Sequence, residues 1–273
     1  MIADMSCYTF LTLLNEGESN MTVKTITLPF RFDQVGSLLR STNLTEAREQ
    51  YKAGAITQNQ LINVENNEII RLIEKQKENG VLAITDGEYR RSWWHFDFLG
   101  GLDGIEYYEK DKGLDFHQME TRKEGIRVVG KIGFTTHPFV QHFEFLKQHA
   151  GEAVVKQTIP SPNMLIRRVD MNEEVYQDKD EFNQDIIVAY QKAIQAFYDA
   201  GCRYLQLDDT AWADLFSEEG HNKLRAKGLD PAEELKLMQY VINESIAKKP
   251  EDLVVTMHIC RGNYKSNYFT SGG

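Results

Sequence analysis

Short apolar runs that stop at polar residues, separated by long amphipathic stretches, constrain this chain most. Strand-like runs cover residues 30–37, 81–85, 153–159, 204–207 and 252–260. Helical patterns cover residues 57–79, 138–149, 180–200 and 231–248. Thr57 suits a helix N-cap and Gly80 a stop, Gly201 ends the third helix, and Asp230-Pro231 opens the last. Strands that alternate with helices need crossover connections, and crossovers give a parallel sheet. Two architectures remain, a doubly wound sheet and a barrel. No Gly-x-Gly-x-x-Gly follows the first run, so nothing signals a dinucleotide site. Ser37, Glu88, Asp208 and the pair His258/Cys260 stand at run ends, and a barrel gathers all such ends on its catalytic face. The expected class is α/β, a (β/α)8 TIM-type barrel of which about the first five βα units are present. Residues 105–110 and 126–134 read as a β-hairpin inserted after strand 2.

Composition narrows the partners. A net charge of −10 opposes phosphate backbones, so nucleic acid is not an expected partner. No run of about 18 apolar residues occurs, so no spanning helix and no membrane are expected. Three cysteines without framework spacing suit a reducing, cytoplasmic setting. Residues 1–24 read as a disordered N-terminal extension, with Met1 or Met21 as the start, and residues 25–273 as a partial barrel domain.

The candidate chemistry sits at the run ends. His258 and Cys260 are two apart on a strand and share a face, and imidazole plus thiolate is a zinc-type ligand pair. The alternative is a packed thiol and a hydrogen-bonded imidazole. Asp208 and Asp209 can hold a cation, an ammonium group or a proton, or can cap the next helix. Gly87 permits a turn that aims Glu88 across the mouth, while an ion pair with Arg90 or Arg91 is the competing reading. Gly36-Ser37 offers neutral donors to a carboxylate. Trp93-Trp94-His95-Phe96 suits packing or a flat ligand, and Arg167-Arg168 an anionic donor or plain surface charge. Cys202 precedes its strand and belongs at the opposite face.

Val35-Gly-Ser37, Asp86-Gly-Glu88, Leu207-Asp-Asp209 and Met257-His-Ile-Cys260-Arg-Gly-Asn263, in this order, resemble the cobalamin-independent methionine synthase family, above all its short single-barrel members. The resemblance covers about residues 25–273. It implies a zinc-dependent transfer of a methyl group from a donor such as methyltetrahydrofolate to the thiol of homocysteine, forming methionine. It implies zinc ligation by His258 and Cys260, and binding of homocysteine's amino-acid end by Ser37, Glu88 and Asp208. The family's other two ligands, a Glu and a Cys, would follow Cys260, and neither Cys nor His occurs after it here. The pterin-site Trp associated with the long enzymes is absent from residues 159–164. Two alternatives stay open: a uroporphyrinogen decarboxylase-like barrel without zinc, and an inactive truncated fragment that needs a C-terminal partner.

Overall fold

The computed structural model describes residues 9–13, 23–28, 30, 33–111, 115–116, 119–120 and 122–262. Strand β1 (Thr9–Leu13) pairs antiparallel with β2 (Val23–Thr27), and the rest of the expected 1–24 extension lies outside the described residues. Helices α1 (Thr42–Lys52) and α2 (Gln58–Glu78) lead to β3 (Ala83–Ile84). After α3 (Phe96–Leu99) the chain forms β4 (Asp103–Glu109), β5 (Asp115–Phe116), β6 (Met119–Glu120) and β7 (Glu124–Gly133). Then come α4 (Pro138–Ala150), β8 (Val154–Pro160), α5 (Pro162–Arg168), β9 (Val169–Asp170) and α6 (Lys179–Asp199). Strand β10 (Tyr204–Asp209), a 3-10 turn (Ala211–Leu215), α7 (Glu218–Ala226), α8 (Pro231–Ile246) and β11 (Val254–Ile259) complete the order.

The central sheet runs β11-β10-β8-β3 and every neighbouring pair is parallel. The sheet is open among the described residues, so the barrel is partial. Its two faces differ as a barrel wall requires. Ile159, Leu205 and Leu207 join Phe143, Tyr190 and Phe197 in the main apolar core. Lys156, Thr158, Tyr204, Gln206, Asp208 and His258 have the opposite parity and form a polar inner face. The inserted hairpin is present: β4 pairs antiparallel with β7, and β9 adds parallel to β7. No helix among the described residues is long and apolar enough to cross a membrane.

Local sequence explains the helices well. Thr57 accepts from Gln60 N, and the Gln60 side chain returns to Thr57 N at 2.7 Å, a reciprocal cap. Gly80 follows with φ +71°. Pro138 and Pro231 open α4 and α8 behind the caps His137 and Asp230.

Two expected strands need correction. Within 30–37 the described residues form no strand. The Gln34 carbonyl accepts from Lys156 Nζ at 2.7 Å and the Val35 carbonyl from Gln206 Nε2 at 2.7 Å. Side chains of the inner face thus take acceptors that a ladder would have used. The run 81–85 shortens to Ala83–Ile84. There the Gln76 side chain bonds both Thr85 N (3.1 Å) and Thr85 O (2.8 Å).

Candidate functional site

The turn after β3 builds one wall of the site. Gly87 (φ 61°) and Glu88 (φ 58°) are both left-handed, and Glu88 is the non-glycine with positive φ among the described residues. The turn is held at both ends. Glu88 N donates to Asp86 Oδ1 at 2.9 Å, and Arg40 Nη2 donates to the carbonyls of Glu88 (2.6 Å) and Arg91 (2.8 Å). The result points the Glu88 carboxylate onto the inner face. Ser37 Oγ donates to Glu88 Oε2 at 2.6 Å, and Arg91 Nη1 reaches Glu88 Oε1 at 3.2 Å. Arg91 Nη2 also donates to Thr158 O at 2.5 Å and Thr158 Oγ1 at 3.0 Å. Both readings of Glu88 therefore hold at once: it faces the mouth and pairs with Arg91. Arg90 turns away to Glu65 at 3.3 Å.

Asp208 ends β10 beside His258, which is its register partner on β11. Gln206 Nε2 donates to Asp208 Oδ1 at 2.5 Å. Burial pushes the Asp208 carboxyl up to about 7, opposed by the Gln206 bond and reinforced by the Glu88 charge. Burial, then the Lys156 charge, lowers the His258 pKa and so favours neutral imidazole. Cys260 lies just past β11, half-buried, with its N–H on Asp209 O at 2.8 Å and its Sγ accepting from Gly262 N at 3.3 Å.

Asp209 does not join this cluster. It points to the helix side, where Ser161 Oγ (2.5 Å), Ala211 N (2.6 Å) and Trp212 Nε1 (2.9 Å) donate to it. It accepts from the first N–H of the 3-10 turn, whose cap position is Thr210, so it ties that turn to β10 without being its N-cap. Trp93 and Trp94 pack against the main core, and Cys202 is buried at the far end of β10.

Several contributors carry no sequence signal of their own. Lys156 is 1% exposed, ion-paired to Asp33 at 3.1 Å, and Tyr204 OH donates to the same carboxylate at 2.6 Å. With Gln206, these groups dock the segment that carries Ser37 onto the sheet. Arg91 and Thr158 are 67 residues apart, so only the fold reveals their contact. An inward lysine in a buried strand and the nearness of Arg91 to Glu88 in sequence were the available hints.

The zinc-type pair fits in kind: an imidazole near the end of β11 and a thiol just past it, two residues on, with the imidazole kept neutral. Among the described residues, no group of three or more His, Cys, Asp or Glu side chains could hold a metal. The fit therefore extends to two ligands.

Residues 31–268 match the family model for the catalytic domain of cobalamin-independent synthase. The chain belongs to this family. It is 53% identical over 246 residues to the uncharacterized protein YxjG of Bacillus subtilis, a match that covers 90% of this chain and 65% of YxjG. The match therefore spans under two thirds of that relative's length. The methionine synthase of Saccharolobus solfataricus is 25% identical over 232 residues, covering 84% of this chain and 62% of that protein. A solved structure assigned as a vitamin-B12-independent methionine synthase of Listeria monocytogenes superposes with a TM-score of 0.73 at 48% identity, covering 86% of this chain and 67% of that one. The fold is therefore shared with that structure over most of this chain.

Proposed function

We propose that this chain supplies the amino-acid-binding wall of a zinc-dependent homocysteine S-methyltransferase site. One observation carries the reading. Two buried carboxylates, Glu88 and Asp208, act on one another across the inner face; Arg91 forms an ion pair with only the first, and the more distant charges of Arg91 and Lys156 offset the burial of Asp208 only in part. A substrate ammonium group between them supplies the missing counter-charge and draws Asp208 back to carboxylate. The Ser37 hydroxyl has one proton, held by Glu88 at 2.6 Å, and would donate to the substrate carboxylate by exchanging that bond once the substrate ammonium group engages Glu88. Held at both charged groups, homocysteine has its thiol directed along the inner face toward β11, which limits its approach to a methyl donor such as methyltetrahydrofolate.

His258 and Cys260 are the residues that would hold the zinc. The metal's contribution when bound is to lower the pKa of a thiol into the neutral range. His258 brings the neutral ring that ligation needs, and Cys260 a soft sulfur donor. Family membership and the matched strand-end residues support this assignment.

Metal analysis of the purified chain tests it. The expected result is about one zinc per chain, lost in Cys260→Ser and His258→Ala. Folded wild-type protein without zinc after loading would overturn the ligand assignment. That result would favour a zinc-free barrel chemistry of the uroporphyrinogen decarboxylase type.

A further inference from the structure

Away from the inner face, three segments meet at the far end of the inserted hairpin, where β4 ends opposite the start of β7. Residues 92–96 follow β3, Arg168 ends α5, and Arg122 precedes β7. The register fixes their meeting. Val169 pairs with Ile126 in the parallel β7–β9 pair, so Arg168 comes beside Gly125 and the residues leading into it. Arg122 ties this end of the hairpin to the turn by donating to Ser92 Oγ at 3.0 Å and Ser92 O at 2.5 Å, and its guanidinium lies 4.7 Å over the Trp93 ring.

His95 lies in the middle of this corner. It is 3% exposed, stacked on Trp94 (4.6 Å) and Phe96 (4.1 Å), with Trp93 edge-on at 5.3 Å. Its Nδ1 is buried without a hydrogen-bond partner, and so is Nε of the half-buried Arg168. A buried polar group left unpaired is costly, so two in one corner are an expensive arrangement unless something occupies it. Arg167, the neighbouring guanidinium, is engaged with Glu234 at 2.9 Å. The charges that reach Arg168 are Arg167, which repels, and Asp214 and Asp209, which attract. Arg168 and Arg122 are in turn the charges that reach His95.

We infer that this corner is an oxyanion-binding site, in which Arg168 and His95 donate to a carboxylate or phosphate group lying against the Trp93–Trp94 face. Its residues are not those of the Ser37–Glu88–Asp208 cluster, which it meets through Arg91, a donor to both Glu88 Oε1 and Trp94 O, and it does not depend on the methyltransfer reading. The oxyanion has two possible sources: a free inorganic anion, or the acidic arm of a larger ligand that extends from the mouth. The overall charge of −10 suppresses general anion binding, so saturable binding has to be local.

The chain's three tryptophans are Trp93, Trp94 and Trp212, and Trp212 sits on the 3-10 turn that packs against α5. Intrinsic fluorescence is therefore a direct readout. Inorganic phosphate and tricarballylate are titrated into the full chain at constant ionic strength, with chloride as control. The expected result is a saturable change with at least one of the two probes, weakened at least about tenfold in Arg168→Gln. A phosphate preference identifies a free anion, and a tricarballylate preference an acidic arm. His95→Phe keeps the ring stack and removes the ring nitrogens, so it guards against misfolding of the arginine variant and should also weaken binding. No saturable change with either probe, or unchanged affinity in folded His95→Phe and Arg168→Gln, would overturn the site.

Discussion

Glu88 reaches the inner face only because the backbone at Gly87 and Glu88 is left-handed, at φ 61° and 58°. A non-glycine residue in that region costs on the order of 1 kcal/mol, offset here by the bonds from Arg40 and to Asp86. Gly87 has a second constraint. A Cβ there would fall 2.6 Å from Leu72 Cδ2, in the core between α2 and the turn. Gly87→Ala is therefore expected to destabilise the fold by about 2 kcal/mol or more in urea melts, and to weaken ligand binding further by displacing Glu88. Wild-type stability in that variant would contradict the close approach.

At the scale of elements, α4 depends on an unusual cap. His137 accepts from Phe139 N through Nδ1 at 3.1 Å, while Nε2 meets Phe98 O at 3.0 Å. Those two bonds require the neutral ring with its proton on Nε2. A proton on Nδ1 would face the Phe139 N–H. Burial, the largest cause, lowers the His137 pKa to about 4, against 6.5 for the ordinary group. The folded-state pKa is depressed, so the unfolded chain binds the extra proton first. Stability from this group is complete above about pH 6.5 and is lost as pH falls toward 4, by on the order of 3 kcal/mol. His137→Asn keeps a cap acceptor and removes the titration, so its stability should fall less between pH 6.5 and 4 than that of wild type. Parallel slopes in thermal or urea melts would show that other groups set the acid limit.

Across the whole molecule, legibility in the sequence follows the range of the interactions. The α2 cap, the prolines that open α4 and α8, and the hairpin after β3 rest on neighbouring residues and could be read directly. The run 30–37 could not, because its carbonyls are claimed by Lys156 and Gln206, more than a hundred residues away in sequence. The site divides in the same way. Ser37, Glu88 and Asp208 were visible as polar residues at run ends, and the fold brings Ser37 onto Glu88 and Asp208 within reach of the Glu88 charge. Arg91 was visible as a local partner of Glu88, three residues away, but its bonds to Thr158 were not, nor was the Lys156–Asp33–Tyr204 group, because those contacts form only when distant strands meet. Asp209 looked like its neighbour in the sequence, yet strand alternation turns it to the opposite face.

The central claim is that Ser37, Glu88 and Asp208 form a pocket for the charged end of an amino acid. Calorimetric titration of methionine into the chain tests it without requiring a metal or a methyl donor. The account predicts saturable binding that weakens at least about tenfold in Asp208→Asn and in Glu88→Gln, with both variants still folded. Absence of methionine binding, or equal affinity in wild type and both variants, would contradict it.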